Sequence, residues 1–219
     1  MHISEYLKPT RFIESDAPSI KKTAQLIAGD KKDVPEIAKA LFYFIRDEIK
    51  YSVYVPKLRE QDNKATEVLR RRKGYCVQKA VLLVALARAS GIPARLRFAD
   101  IINFKVPKHI LKMRKGDRLF VYHGYAELFI EGKWVKVAPV FNLNICKKHG
   151  IIPVEFDGRN DAILPEKDIY GNPYIKYVKD RGSFIDLPLD EIIRERKRLQ
   201  KVADFYEELM KEKEGCYGN

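Results

Sequence analysis

The sequence predicts an α+β fold in which a buried central helix packs on an antiparallel sheet. The helix is indicated by "VQKAVLLVALARAS", residues 77–90, which is apolar nearly all round, as in a helix covered on most sides. The sheet is indicated by two β-type runs around a Glu131-Gly132 turn, a hairpin pattern. A third run, "ARLRFADI", alternates as a strand does.

The remaining elements follow from caps and apolar spacing. Ser15 or Asp16 is a candidate N-cap for a short helix that Gly29 stops, and Asp33 is placed to cap the next helix. That second helix carries a core-facing stripe made of Ile37, Leu41, Phe44, Ile45 and Ile49. Residues 103–117 are predicted as a loop with some helix. After Asn142 the pattern weakens through a segment rich in Pro, Gly, Asp and Asn.

The totals indicate a globular protein. The chain has 219 residues, of which 46% are hydrophobic and 33% charged, so it can bury a sizeable core. We predict one domain over residues 1–219, with its core at about 35–142. A C-terminal extension, 143–219, ends in a helix whose apolar spacing is set by Ile192, Leu199, Val202, Tyr206 and Leu209.

The net charge of +12 could favour nucleic acid, an anionic surface or an acidic partner. Most basic residues lie beside acids, however, as on a solvated helix face, so no specific nucleic-acid site is predicted. The N-terminus lacks the layout of a signal peptide, and no apolar run reaches the roughly 18 residues of a membrane span. We therefore expect a cytoplasmic protein that does not bind membranes.

The chain has three cysteines, Cys76, Cys146 and Cys216, with no metal-type spacing. We expect free thiols, without a disulfide or a metal site. Cys76 is placed at the first turn of the central helix, where the partial positive charge and unpaired N–H groups lower a thiol pKa and can face an oxyanion. The alternative is that Cys76 is simply a small buried residue.

A histidine base must come from elsewhere in the fold. His2 is terminal, and His109 and His149 lie in loop-like basic stretches, whereas His123 lies inside a strand that can hold it rigidly. A structural role for His123 is the alternative. A two-residue turn at Glu131-Gly132 gives a definite register. The predicted pairs are Phe129 with Trp134, Glu127 with Lys136, Tyr125 with Ala138, and His123 with Val140.

With these elements in this order, residues 35 to 142 resemble the transglutaminase-like superfamily of papain-type cysteine enzymes. The resemblance is carried by "ATEVLRRRKGYC", by "GIPAR" at the end of the buried helix, and by "HGYAELFIEGKW". In this family a Cys opens the core helix, a His lies on a strand of an antiparallel sheet, and an Asp follows on the next strand. The resemblance therefore implies Cys76 as nucleophile and His123 as base.

The third position departs from the family pattern. Where the family usually has Val-Asp-Pro, this chain has Ala138 in place of the Asp, and alanine cannot accept the imidazole N–H. The predicted register puts Asn142 diagonal to His123, and papain-like enzymes use Asn to orient the His, so Asn142 is our candidate. A polar residue at a strand end is the alternative reading of Asn142. Asp100 and Asp157 are the other candidates. The "P-x-F-N" continuation resembles a microbial subgroup of the superfamily.

The resemblance implies a cysteine-dependent hydrolase or acyltransferase that acts on amide bonds of peptides, glutamine or related compounds through a thioester acyl-enzyme. Hydrolysis and transfer share every step but the last. No calcium, other metal or cofactor is implied. The alternative is a non-catalytic binding module of the same fold, which would bind nucleic acid or an acidic protein with a steep salt dependence.

Overall fold

The structure is a computed structural model that describes residues 2–199. The chain divides into two compact units, Met1–Leu187 and Pro188–Asn219. Of the second unit the structure describes a helix over residues 189–199. Val202, Tyr206 and Leu209, from the predicted C-terminal helix, lie outside the described residues. The single-domain boundary stays a prediction.

The first unit combines helices with an antiparallel sheet, so the predicted α+β class is confirmed. Its α-helices are α1 (Pro18–Ala28), α2 (Val34–Tyr43), α3 (Ala65–Arg71), α4 (Cys76–Ala89), α5 (Lys108–Met113) and α6 (Leu143–His149). Its strands are β1 (Lys50–Tyr51), β2 (Lys73–Gly74), β3 (Ala94–Asn103), β4 (Leu119–Ile130), β5 (Lys133–Val137) and β6 (Ile175–Phe184). Short 3₁₀ helices cover Ile3–Leu7 and Gln61–Asn63, and a π-helical turn covers Phe44–Glu48.

Helix α1 begins one or two residues later than we predicted from its candidate N-cap residues. Ala17, rather than Ser15 or Asp16, is the N-cap of α1, and no side chain caps it. Pro18 explains this, because its fixed φ suits the first position of a helix and holds the preceding residue extended. Asp33 is the N-cap residue of α2, as predicted, although its side chain makes no capping hydrogen bond.

The main sheet has the strand order β5-β4-β3-β6, with antiparallel neighbours. The predicted hairpin register is confirmed for Phe129 with Trp134 and for Glu127 with Lys136. The turn residues have positive φ, 48° at Glu131 and 82° at Gly132, as the favoured two-residue hairpin turn requires. Local turn chemistry therefore sets this register.

Two predicted pairs of the same hairpin, Tyr125 with Ala138 and His123 with Val140, are wrong, because β5 ends at Val137. The Ala138 N–H instead donates to the Ala162 carbonyl, with N···O 2.8 Å. The next residue is Pro139, which has no N–H for the ladder. The chain therefore leaves β4 before it reaches His123.

Strand β6 was not predicted, because its sequence "IKYVKDRGSF" is mostly charged and its residues are largely exposed or half-buried. It lies at an edge of the sheet, where charged side chains discourage pairing with other chains. A solvated edge strand of this kind has no apolar alternation to detect.

Helix α4 packs directly on β4 through a glycine. A Cβ at Gly124 would lie 2.9 Å from the Val77 Cα and 3.1 Å from the Phe98 ring. Because one of these neighbours is backbone, the two elements can approach this closely only without a side chain at position 124. Gly124 follows His123 and Val77 follows Cys76, so this contact brings the two candidate residues to the same end of α4.

We predict that Gly124→Ala lowers the free energy of unfolding by about 1–3 kcal/mol, the usual cost of overpacking a core. The added methyl group must push β4 away from the Val77 backbone. Urea denaturation of both proteins measures this difference. Unchanged stability would mean that the close contact between α4 and β4 does not constrain the fold.

Candidate functional site

Cys76 is the first residue of α4, as the sequence predicted. Its side chain is half-buried and it forms no disulfide, whereas residues 77–88 of the same helix are all buried. The preceding residue, Tyr75, is the N-cap, and its N–H donates to the Gln78 side chain at 3.4 Å. The thiol therefore lies at the accessible positive end of a helix that is otherwise enclosed.

His123 lies on β4, is 4% exposed, and is the histidine whose strand packs on α4. Burial lowers the pKa of its imidazole to about 4, so the ring is neutral at pH 7. Its Nε2 is buried and has no hydrogen-bond partner within the described residues. With the ring proton on Nε2, the other ring nitrogen, Nδ1, is unprotonated and can take up a thiol proton.

Two tyrosines hold the His123 ring from the sides. The Tyr125 ring is stacked on it at a centroid distance of 6.0 Å, and the Tyr177 ring meets it edge-on at 6.2 Å. Burial raises the pKa of Tyr177, and the Cys76 charge adds to that increase. Tyr177 thus contacts the His123 ring, although its strand, β6, could not be recognised from the sequence.

A β-bulge immediately precedes His123. Between the pairs Ala99–His123 and Ile101–Phe120, β4 has one residue more than β3. Tyr122 takes up the extra residue with φ +53°, a conformation that is costly for a side chain of this size. The bulge therefore changes the direction of the strand just before His123.

Asp100, one of the alternative orienting residues, stabilises this bulge. Its carboxylate accepts the Tyr122 N–H at 3.1 Å and pairs with the Arg181 guanidinium at 2.7–3.0 Å. Arg181 also lies over the Tyr122 ring. Asp100 thus fixes the residue before His123 and forms no hydrogen bond with the imidazole. Asp157 is exposed and accepts N–H groups of its own turn, which hold its pKa at about 2.

Asn142 is the N-cap residue of α6 but makes no side-chain capping bond. Its Oδ1 is buried and, within residues 2–199, has no hydrogen-bond partner. The hydrogen bond that we expected from His123 to Asn142 is therefore not formed in this structure. Ala138 is fully buried, so a carboxylate at that position would lie in the core rather than at a cleft.

Sequence reasoning missed Lys79, a buried lysine one turn along α4 from Cys76. Its Nζ donates to the Val140 carbonyl at 2.7 Å and to the Arg46 carbonyl at 3.1 Å. Val140 lies two residues before Asn142. The available signal was a lysine that interrupts an otherwise apolar helix three residues after the cysteine.

A cavity of about 380 Å³ lies elsewhere, lined by residues 152–155 and 161–166. None of Cys76, His123 and Asn142 lines it.

Among the described residues, no group of His, Cys, Asp or Glu is placed to hold a metal ion. No helix in that same part of the chain is long and apolar enough to cross a membrane.

The family to which this chain belongs is shown by comparison with protein families. Residues 21–139, more than half of the chain, match the transglutaminase-like superfamily. The chain belongs to this superfamily. The match covers Cys76 and His123 and ends just after Ala138, so the predicted resemblance is confirmed. No curated protein has a significantly similar sequence.

Solved structures similar to this chain include two bacterial proteins. One is a candidate cysteine protease from Cytophaga hutchinsonii, with 22% identity and a TM-score of 0.50. The match covers 83% of this chain and 53% of that protein, so the chain spans about half of its relative. Another is the periplasmic domain of TgpA from Pseudomonas aeruginosa, with 19% identity and a TM-score of 0.40 over 56% of this chain and 43% of that one.

We predict that iodoacetamide near pH 6.5 modifies Cys76 at least about tenfold faster than Cys146, the factor for one unit of thiol pKa. Cys76 is half-buried at a helix N-terminus, whereas burial raises the pKa of the Cys146 thiol. Peptide mapping after brief treatment of the Cys216→Ser protein measures both rates. Faster modification of Cys146 would exclude Cys76 as the reactive thiol.

We also predict that His123 makes the protein acid-sensitive. The imidazole has a pKa of about 4 when folded and about 6.5 when unfolded, so the unfolded state takes up the proton first as the pH falls. The free energy of unfolding should fall between pH 6.5 and 4 by up to about 3 kcal/mol from this group. Urea denaturation at several pH values should show a smaller loss in His123→Gln. The exposed His109→Gln serves as control, and equal pH dependence in all three proteins would contradict the prediction.

Proposed function

We propose that this protein is a cysteine-dependent hydrolase or acyltransferase in which Cys76 attacks an amide carbonyl and His123 is the base. The observation that carries the proposal is the Gly124–Val77 contact, because it sets the histidine strand against the N-terminus of the cysteine helix. Membership of the superfamily supports the same reading. So does the name of the Cytophaga relative, a candidate cysteine protease.

The proposed reaction has two halves. His123 takes the Cys76 proton, and the thiolate adds to the amide carbon of a peptide, glutamine or related substrate. The N–H groups at the start of α4 stabilise the oxyanion. The C–N bond then breaks, the leaving amine takes the proton from His123, and a thioester remains. Water or a second amine attacks the thioester, gives its proton to His123, and releases the acid or the new amide as the thiol re-forms.

The electrostatics of His123 suit the first half. Burial keeps the imidazole neutral, so it is ready to accept a proton. In the proposed pair, the thiolate stabilises the imidazolium that then forms, because opposite charges favour each other's ionised forms.

We assign Asn142 the role of orienting this imidazolium. Its Oδ1 is a buried acceptor without a partner, and His123 Nε2 is a buried nitrogen without a partner, both within the described part of the chain. Unpaired buried polar atoms cost about 1–3 kcal/mol each, so a hydrogen bond between them would be favourable. The cellular compartment and the partners remain predictions from the sequence.

The experiment uses a peptide acyloxymethyl ketone probe and a panel of peptide and glutamine amides, with a fluorescent primary amine to separate transfer from hydrolysis. Cys76→Ala and His123→Gln are expected to abolish labelling and turnover, while Asn142→Ala lowers turnover at least about tenfold, as loss of an orienting residue does. Cys146→Ser is the matched control, since that thiol is buried in α6. Intact-mass analysis should show one acyl adduct on Cys76. Full turnover in Cys76→Ala would overturn the proposal.

A further inference from the structure

Lys79 is a buried cation whose partners are backbone carbonyls rather than carboxylates. It is 1% exposed, and its Nζ donates to the carbonyls of Val140 and Arg46. Burying an ammonium group is costly, and an apolar side chain of similar volume often stabilises a core better. The packing of α4 alone therefore does not explain a lysine at this position.

The position of Lys79 connects two parts of the candidate site. It lies three residues after Cys76, so the two side chains share a helix face with Cβ atoms about 5–6 Å apart. Its shortest hydrogen bond is to Val140, in the segment that leads to Asn142. Lys79 lies one helical turn from Cys76, and it binds the loop that contains Asn142.

The groups around Lys79 couple its charge to the thiol. Burial lowers the pKa of Lys79 to about 7, while Asp47 raises it and Arg46 lowers it. Cys146, from α6, and Cys76, from the same helix, also raise it. Such electrostatic coupling is mutual, so the Lys79 ammonium favours the Cys76 thiolate as much as the thiolate favours the ammonium.

We propose that Lys79 is a positioning residue that acts through Cys76, its ammonium favouring the thiolate while holding the Asn142 loop beside it through the Val140 carbonyl. This inference rests on the proposed function, in which Cys76 is the nucleophile. It makes the reactivity of the thiol depend on the protonation of a lysine that is buried inside the protein.

The test is the rate of Cys76 alkylation by iodoacetamide between pH 5 and pH 9. In Lys79→Met, the thiol titration should move up by about one unit, which slows alkylation at pH 6.5 about tenfold. Lys79→Gln keeps a hydrogen-bond donor but no charge, and should be shifted similarly. Lys79→Arg keeps the charge and should return the titration to the wild-type position. If Lys79→Met does not fold, the alkylation profile of Lys79→Gln provides the same test.

Arg88 provides the matched control. It is a second buried cation on α4 that donates to backbone carbonyls, those of Lys8, Ala94 and Ile185, about 18 Å along the helix from Cys76. Arg88→Met leaves these three carbonyls without their donor, but it should leave the titration of Cys76 unchanged. A Lys79→Met titration that coincides with wild type, or an equal shift in Arg88→Met, would overturn the inference.

The two proposals fail separately. If Cys76→Ala keeps its turnover while Lys79→Met shifts the alkylation profile, the proposed function is wrong and the coupling stands. If Cys76→Ala is inactive while the profile of Lys79→Met is unchanged, only the role of Lys79 is wrong.

Discussion

The fold depends on one helix that is enclosed along its length except at its two end residues. Twelve consecutive positions of α4, residues 77–88, are buried, so the surrounding segments must satisfy every polar group on it. Three of its side chains are polar, and each donates to backbone carbonyls of distant segments. These are Gln78 to Pro56 and Asp62, Lys79 to Arg46 and Val140, and Arg88 to Lys8, Ala94 and Ile185. The helix thereby organises the loops as well as the core.

Features that depend on neighbouring residues could be predicted from the sequence. The enclosed helix was visible because an all-apolar run has no polar face, and the hairpin register because Glu131-Gly132 suits a two-residue turn. Strand β6 could not be predicted, because its mostly charged residues lie at a solvated edge of the sheet and show no alternation of apolar and polar positions. The departure of the chain at Ala138 depends on Ala162, which is 24 residues away and was not identifiable as a partner.

The same distinction applies to the candidate site. Cys76 and His123 could be placed because each belongs to an element with a strong local pattern. Asn142 was inferred from a longer hairpin than the protein forms, so the predicted pairing that placed it near His123 was wrong. It is still a candidate, because its buried side-chain oxygen has no hydrogen-bond partner within the described residues. Lys79 and Tyr177 could not be assigned, because their significance lies in contacts that only the tertiary structure creates.

The bulge at Tyr122 bears on how related chains should be aligned. Because β4 carries one more residue than β3 between Phe120 and His123, the inside-outside alternation of the strand changes phase there. A relative without the bulge would be one residue shorter on the N-terminal side of the histidine and would still present it to the same face. Single-residue gaps are therefore structurally acceptable just before His123. Between His123 and the turn at Glu131, a gap of one residue would turn the histidine to the opposite side of the sheet.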